Sequence, residues 1–184
     1  MSEQAFQDSW WLLTRARGVG LLLRILVLVS PLASLVCTRA AGGPAPVVIE
    51  FGVVVLTLFC VVLPDSHLGL LVSLLAGVGW LATVDDTTTP WSLAMALTLL
   101  VFHTSLAAAS VAAPGAAWTP ALRRRWLLRS GVLAMACVAS WLLVAAVNVY
   151  DVAASSALVA AALVVLAVAG LMVRDVTTDG AAGR

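Results

Sequence analysis

Three ionisable side chains lie inside long apolar runs of this sequence, and each type could do its own chemistry. The residues are Arg24, Glu50 and His103. A charge in hydrocarbon is costly, so an ionisable residue within a membrane-spanning segment is by default a candidate functional residue. A histidine there could carry a proton or ligate a metal, a glutamate could relay a proton or a cation, and an arginine could hold an anionic substrate.

Arg24 and Glu50 also have structural interpretations that need no ligand. Arg24 lies near one end of its apolar run, where its long side chain could snorkel to the lipid headgroups, with Asp65 as an alternative acidic partner. Glu50 lies near the opposite membrane surface, where an interfacial carboxylate close to Arg39 is stable. The sequence favours these interpretations and leaves ligand binding by Arg24 and ion relay by Glu50 as alternatives.

His103 is the residue whose depth most needs an explanation. Counted from Trp91, where its apolar run starts, it lies about 18 Å deep at about 1.5 Å per residue. Ser140 and Thr57 lie at similar depths in other runs. The sequence therefore favours a neutral imidazole that bonds one of these hydroxyls and joins two helices, with proton carriage or metal ligation as the alternatives.

The densest charge in the chain is a second candidate site, formed by Arg123, Arg124, Arg125 and Arg129. An arginine cluster next to a membrane span binds anionic lipid headgroups and fixes the topology. Docking of a cytoplasmic partner with an acidic face is the alternative use. Nucleic acid is not expected as a partner, because arginines without an adjoining domain form no reading surface.

No catalytic, cofactor or metal site is predicted. The sequence contains no HExxH, GxSxG, Walker or GxGxxG pattern and no pair of intramembrane acids. Asp65 with His67, and Asp85 with Asp86, offer fewer than the three convergent ligands that metal sites usually need, and helix capping or turn solvation explains them. The cysteines fall at different places on three runs, so no disulfide is indicated. We therefore predict a protein that is not an enzyme.

The elements that must position these residues are transmembrane helices. The chain is 62% apolar and 10% charged, whereas soluble domains are about 45–50% apolar and about 25% charged. A span needs about 20 apolar residues. By that length the sequence predicts an all-α, polytopic membrane protein with six transmembrane helices: Gly18–Thr38, Val47–Leu63, Leu68–Val84, Trp91–Ala113, Ser130–Val149 and Ala153–Val173.

The second and third predicted spans are short enough to allow a different topology. They lie at the lower limit of length for crossing the hydrocarbon core. The alternative is four spans plus a re-entrant hairpin at 47–84. Six spans are favoured, because a lipid-facing bend at mid-depth would leave backbone groups unpaired.

Arginine positions predict the orientation. Short loops rich in Lys and Arg stay cytoplasmic, and with the N-terminus inside, only Arg39 of the loop arginines lies outside. The cytoplasmic side then holds Arg15, Arg17, Arg123, Arg124, Arg125, Arg129, Arg174 and Arg184. We predict a multi-pass plasma-membrane protein with both termini cytoplasmic. Its predicted parts are a cytoplasmic N-terminal segment at 1–17, a transmembrane helical bundle at 18–173 and a cytoplasmic tail at 174–184. An interfacial helix is one interpretation of the N-terminal segment.

Small and polar residues follow one face of the fourth predicted span. They are Ser92, Ala96, His103, Ala107 and Ser110. Membrane helices approach one another closely at such residues. The face indicates either close packing within the bundle or a subunit interface of a homo-oligomer, although alanine is also abundant throughout the chain.

Several short runs resemble a known family. These are Pro64-Asp65-Ser66-His67-Leu68-Gly69, Pro90-Trp91-Ser92-Leu93 and Phe102-His103-Thr104-Ser105, followed by Trp118 and the Arg123–Arg125 cluster. Over roughly Gly18 to Trp141 the chain is similar to small actinobacterial integral membrane proteins encoded near MoxR-type AAA+ ATPases and proteins with von Willebrand factor A-like features. The resemblance implies a membrane component of a chaperone-like or envelope-related system, and it carries over no catalytic residue.

Two functional hypotheses follow. The first is a non-enzymatic membrane subunit or scaffold that docks a cytoplasmic MoxR-type chaperone system through the arginine cluster and the N-terminal segment. The second is a small transporter or channel subunit that works through Arg24, Glu50 and His103.

Overall fold

A computed structural model describes residues 18–44, 46–64, 67–86, 88–111 and 119–149. These residues form five α-helices, and no strand occurs among them. The helices are α1 (Val19–Ala40), α2 (Val47–Val62), α3 (Leu68–Thr83), α4 (Pro90–Val111) and α5 (Pro120–Val149). The predicted all-α class is confirmed for this part of the chain.

Three helices, α1, α4 and α5, are long and apolar enough to span a membrane. Helices α2 and α3 have 16 residues each, which is about 24 Å at about 1.5 Å per residue, against about 30 Å of hydrocarbon. The predicted sixth span, Ala153–Val173, lies outside the described residues, as do 1–17 and 174–184. The structure therefore supports three spans and does not support the count of six.

Helix α1 ends at the glycine pair that breaks its apolar run. Gly42 has a φ of +85°, and its N–H donates to the Arg39 carbonyl over 3.0 Å, while the Gly43 N–H donates to the Thr38 carbonyl over 3.0 Å. This pattern is a Schellman motif, which needs a left-handed residue where Gly42 lies. A Cβ on Gly43 would lie only 2.8 Å from the Thr83 Oγ1 atom. The pair thus ends α1 and lets the chain pass close to the end of α3.

Helices α2 and α3 form an antiparallel pair that packs closely at glycines. A Cβ on Gly52 would lie 3.3 Å from Leu75 Cδ1, and a Cβ on Gly79 would lie 3.0 Å from Ile49 Cγ2. Without a side chain at these positions the two helices can approach each other. The bounds predicted for these two segments agree with the observed helices to within one residue at each end.

Helix α1 is the central helix of the four that precede α5. It packs most extensively against α4 and also contacts α2 and α3. Its buried face carries Ser30, Ser34 and Thr38. These hydroxyls donate to the carbonyls of Leu26, Pro31 and Ser34 over 2.7, 2.7 and 3.1 Å. Because their hydroxyls are satisfied by their own helix, they give α1 a small surface for close packing.

The apolar core draws on all four of these helices. Val27 of α1, Val53 and Cys60 of α2, Val72 of α3 and Phe102 of α4 are all at most 1% exposed. Burial of these side chains against one another makes α1 to α4 one packed unit, so the short helices α2 and α3 are part of the same core as the longer ones.

The small-residue face predicted on α4 is not part of this core. Ala96, His103, Ala107 and Ser110 are exposed. The residues that α4 buries are Met95, Phe102, Ser105, Leu106 and Ala108. The described helices leave most of this face uncovered, because α4 buries the side that carries its large apolar residues, but His103 contacts Ser73 of α3 from this face. The subunit interface stays a prediction.

Helix α5 begins at Pro120, well before the predicted start of the fifth span at Ser130. Thr119 caps it by accepting the Leu122 N–H at its Oγ1 atom over 3.3 Å. Proline in the first turn fits this start, because its missing N–H would have no partner there. The arginine cluster therefore lies on a helix. The chain divides into two units after Arg123, so most of α5 belongs to a different unit from α1 to α4.

Candidate functional site

Glu50 forms an ion pair with Arg39. The Arg39 Nε atom donates to Glu50 Oε1 over 2.9 Å, and the Nη2 atom donates to Oε2 over 2.6 Å. The carboxylate lies in the first turn of α2 and the guanidinium in the last turn of α1, where helix dipoles favour each charge. Glu50 is 17% exposed and Arg39 67% exposed. The structural interpretation of Glu50 as a carboxylate close to Arg39 agrees with this geometry.

Arg24 contacts the backbone at the end of α2. Its Nη1 atom donates to the Val61 carbonyl over 3.4 Å. Val61 belongs to the last turn of α2, where carbonyls lack partners within the helix. A cation at a helix C-terminus also interacts favourably with the dipole. Arg24 therefore caps α2, a function that neither snorkelling nor pairing with Asp65 predicted, and Asp65 itself lies outside the described residues.

His103 joins α4 to α3 through Ser73. The His103 Nε2 atom lies 3.0 Å from the Ser73 Oγ atom, and Ser73 donates its hydroxyl proton to the Gly69 carbonyl over 3.1 Å. With that proton engaged, the Ser73 oxygen must accept from a protonated Nε2, which leaves Nδ1 as the acceptor of a neutral ring. A hydroxyl partner was the right prediction, but Ser140 and Thr57 were the wrong residues.

Gly69 brings this pair together. A Cβ there would overlap the Leu106 side chain, and it would lie 3.8 Å from Phe102 Cε1. Because glycine has no side chain, Leu106 fills this space and the start of α3 can meet α4 one turn before Ser73. The serine early in the third predicted run was the feature that could have identified the partner of His103.

The structure does not gather the three ionisable residues into one site. Within the described residues, Arg24 bonds α2, Glu50 bonds the end of α1, and His103 bonds α3, and no hydrogen bond or ion pair joins any two of the three. Arg24 contacts the last turn of α2 and Glu50 lies in its first turn. These residues therefore act at separate helix contacts.

The arginine cluster has a different environment. Arg123, Arg124 and Arg125 are exposed and Arg129 is half-buried. The Arg129 Nε atom is covered by protein, yet it has no acceptor among the described residues. Helix α5 contains no acidic residue, and positive charge near a helix N-terminus is unfavourable for the helix dipole. Local helix stability therefore does not explain these arginines.

Asp86 is an acidic residue in the segment between α3 and α4, and it is bonded within its own turn. Its Oδ1 atom accepts the Thr88 hydroxyl over 2.6 Å and the Thr88 N–H over 2.8 Å. These bonds, the hydroxyl above all, lower the pKa of the Asp86 carboxyl below its ordinary value. Asp86 thus closes its own turn, in line with turn solvation as its predicted explanation.

Metal-binding groups are not assembled in the part of the chain that the structure covers. No cluster of three or more His, Cys, Asp or Glu side chains occurs there. Cys37 and Cys60 are buried and free, and Cys137 is half-buried and free. The candidate site residues are therefore the helix-joining groups and the arginines of α5.

No known protein-family model, curated protein or solved structure matches this chain. The family resemblance stays a prediction.

Proposed function

We propose that this protein is a non-enzymatic integral membrane subunit that holds a cytoplasmic partner through the start of α5. The observation that carries the proposal is the set of uncompensated arginines: Arg123, Arg124 and Arg125 are exposed, and α5 has no acid to pair with them. A partner with an acidic face would supply the missing charge. The family resemblance suggests that this partner is a MoxR-type AAA+ ATPase complex.

The length of α5 supports a projecting docking segment. Its 30 residues extend over about 45 Å, whereas the hydrocarbon core is about 30 Å thick. If Ser130–Val149 fills the core, as the apolar pattern predicts, Pro120–Arg129 extends about 15 Å beyond it as continuous helix. We call Pro120–Arg129 the basic extension. A rigid helix presents its arginines to a partner with less loss of entropy than a flexible loop would.

The proposed topology has six spans in the plasma membrane with both termini cytoplasmic. The contact between Arg24 and the Val61 carbonyl supports crossing by α2, because it brings the end of α2 to the second turn of α1. A re-entrant turn at mid-depth would end α2 near the middle of α1. The arginine distribution supports the orientation.

Labelling of a cysteine at position 66 tests this topology. In a variant with Ser66→Cys and with Cys37, Cys60 and Cys137 replaced by alanine, an impermeant thiol reagent added outside intact cells should not react. The same reagent should react once the cells are opened. Labelling from outside would replace the six-span topology with the re-entrant hairpin.

The separate bonds of Arg24, Glu50 and His103 favour the scaffold over a transporter. A transport path needs polar groups that converge on one route through the bundle. In the described residues Arg24 and Glu50 instead bond at opposite ends of the α1–α2 pair, and His103 joins α4 to α3. Ion or solute flux into liposomes that contain the purified protein alone would favour the transporter.

Capture of the ATPase in mild detergent tests the proposed function. Tagged full-length protein should retain an AAA+ ATPase identified by mass spectrometry. Replacement of Arg123, Arg124, Arg125 and Arg129 by glutamine should remove it. Arg174→Gln with Arg184→Gln is the control, because it removes charge from the same proposed side but leaves the basic extension intact. Absence of the ATPase, or equal capture by the four-arginine variant, would refute the docking site.

A further inference from the structure

Two of the four arginines of the basic extension share a face of the helix. Residues four apart lie on one face of an α-helix, so Arg125 and Arg129 share a face. Arg123 and Arg124 differ by about 100° in direction and point to other sides of α5. A single protein surface would therefore meet only part of the cluster.

The arginines also differ in their distance from the proposed hydrocarbon boundary at Ser130. Arg129 lies at the boundary, and Arg125 lies about 6 Å farther along the helix. The headgroup layer is about 5–7 Å thick on each side of a bilayer, so Arg125 falls inside it. Arg123 lies about 9 Å from Arg129, at or beyond the outer edge of that layer.

Arg129 needs an acceptor that the described protein does not provide. Its side chain is half-buried, and the Nε atom is covered without a hydrogen-bond acceptor among the described residues. A covered N–H group without an acceptor at the edge of hydrocarbon is unfavourable. A phosphodiester group accepts two parallel hydrogen bonds from a guanidinium and neutralises its charge.

We infer that Arg125 and Arg129 bind the phosphate of an anionic phospholipid. Arg129 holds the phosphate at the hydrocarbon boundary, and Arg125 contacts the same headgroup from one turn farther out. This assigns Arg125 to the lipid and leaves Arg123 and Arg124, of the three exposed arginines, for the cytoplasmic partner. This inference rests on the membrane placement proposed above and does not depend on the ATPase.

Native mass spectrometry of the full-length protein in detergent tests this lipid site. The probe is dioleoyl phosphatidylglycerol, with dioleoyl phosphatidylcholine and inorganic phosphate as comparison ligands. Arg125→Gln with Arg129→Gln should weaken phosphatidylglycerol binding about thirtyfold, since each arginine near an anionic surface contributes an amount that corresponds to roughly fivefold in affinity. The matched variant, Arg123→Gln with Arg124→Gln, removes the same charge and should weaken binding less than about threefold.

Each other outcome overturns the inference. Equal weakening by the two double variants indicates diffuse attraction to the whole cluster, and unchanged binding shows that lipid does not use this pair. Competition by inorganic phosphate at the same concentration as the lipid indicates a site for a free anion.

Two controls accompany the assay. Circular dichroism checks that the variants remain helical, and Arg125→Lys with Arg129→Lys should retain part of the binding. The assay contains no second protein, so failure to capture the ATPase would leave its result unchanged.

Discussion

Charged side chains in α1 to α4 and the connecting segments differ from those at the start of α5 in what they contact. Arg24 caps α2, and Arg39 pairs with Glu50. The exposed arginines of α5, Arg123 to Arg125, have no acid on their own helix and form no ion pair with any described residue. The comparison indicates that the first set holds helices together, whereas the second set is available to bind something outside the chain.

The largest effect on folding is expected for Arg24→Ala. Removal of the guanidinium takes away the donor to the Val61 carbonyl, and a hydrogen bond that involves a charged group contributes about 1.5–3 kcal/mol. We expect a loss of about 2 kcal/mol in the free energy of unfolding, measured by denaturation in mixed detergent micelles.

Arg123→Ala is the matched control for that experiment, because it removes an exposed arginine from α5. We expect it to change the free energy of unfolding by less than about 0.5 kcal/mol. Equal effects of the two substitutions would contradict the distinction between structural and binding arginines.

The His103–Ser73 contact should have the next largest effect. Ser73→Ala removes the acceptor of the Nε2–H group, and a hydrogen bond of this kind contributes about 0.5–1.5 kcal/mol. His103→Gln should lose less, because its amide can donate to the same hydroxyl. The unfolding free energies of Ser73→Ala, His103→Gln and the variant with both substitutions give the coupling energy between the two side chains. No coupling would show that the contact does not stabilise the fold.

His103→Gln also separates structural from proton-carrying use of this residue. If His103 has only a structural role, the His103→Gln variant should capture the partner equally well at every pH tested. A loss of function that depends on pH would instead favour proton carriage and bring back the transporter hypothesis.

The predictable part of this fold is the part that glycine and proline delimit. Gly42 and Gly43 end α1, and Thr119 with Pro120 marks the true start of α5. The fifth predicted span is delimited by its apolar residues and so begins at Ser130, whereas the helix continues through the arginines to Pro120. A helix boundary and a hydrocarbon boundary are different physical limits, and charge ends only the second.

Contacts between helices were less predictable than the helices themselves. Depth along each run made Thr57 and Ser140 candidates for His103, but depth does not say which helices are neighbours. Ser73 became the partner because Gly69 lets α3 approach α4. The cap on α2 was missed for a related reason, since a backbone carbonyl has no residue type that a sequence pattern could show.

The Arg39–Glu50 pair should stabilise the fold less than the Arg24–Val61 and His103–Ser73 contacts. Both side chains are near the end of their helices, and exposed ion pairs typically contribute about 0.2–1 kcal/mol. A double-mutant cycle with Arg39→Gln and Glu50→Gln should give a coupling of about 0.5–1 kcal/mol that decreases with salt. A coupling energy well above about 1 kcal/mol would mean that the Arg39–Glu50 pair, and not the Arg24 contact, is the main charged contact of α1.

The smallest effect is expected at Asp86, which is held by its own turn. The Thr88 hydroxyl is the main cause of the lowered pKa of Asp86, so Thr88→Val should raise that pKa toward its ordinary value of about 3.9. Carboxyl carbon shifts followed by NMR through a pH titration measure the change. Thr88→Ser keeps both hydrogen bonds and should leave the pKa of Asp86 low.

The lowered pKa of Asp86 also fixes the pH range in which its turn stabilises the fold. A carboxyl whose folded-state pKa is lowered stabilises the fold above its unfolded pKa, and this contribution is lost as the pH falls through the folded value. The stability difference between the native protein and Thr88→Val should therefore be present at neutral pH and shrink below about pH 4. A stability difference that stays constant down to acid pH would show that Thr88 acts through packing. Asp86 would then no longer count among the charged residues that stabilise the fold through their bonds.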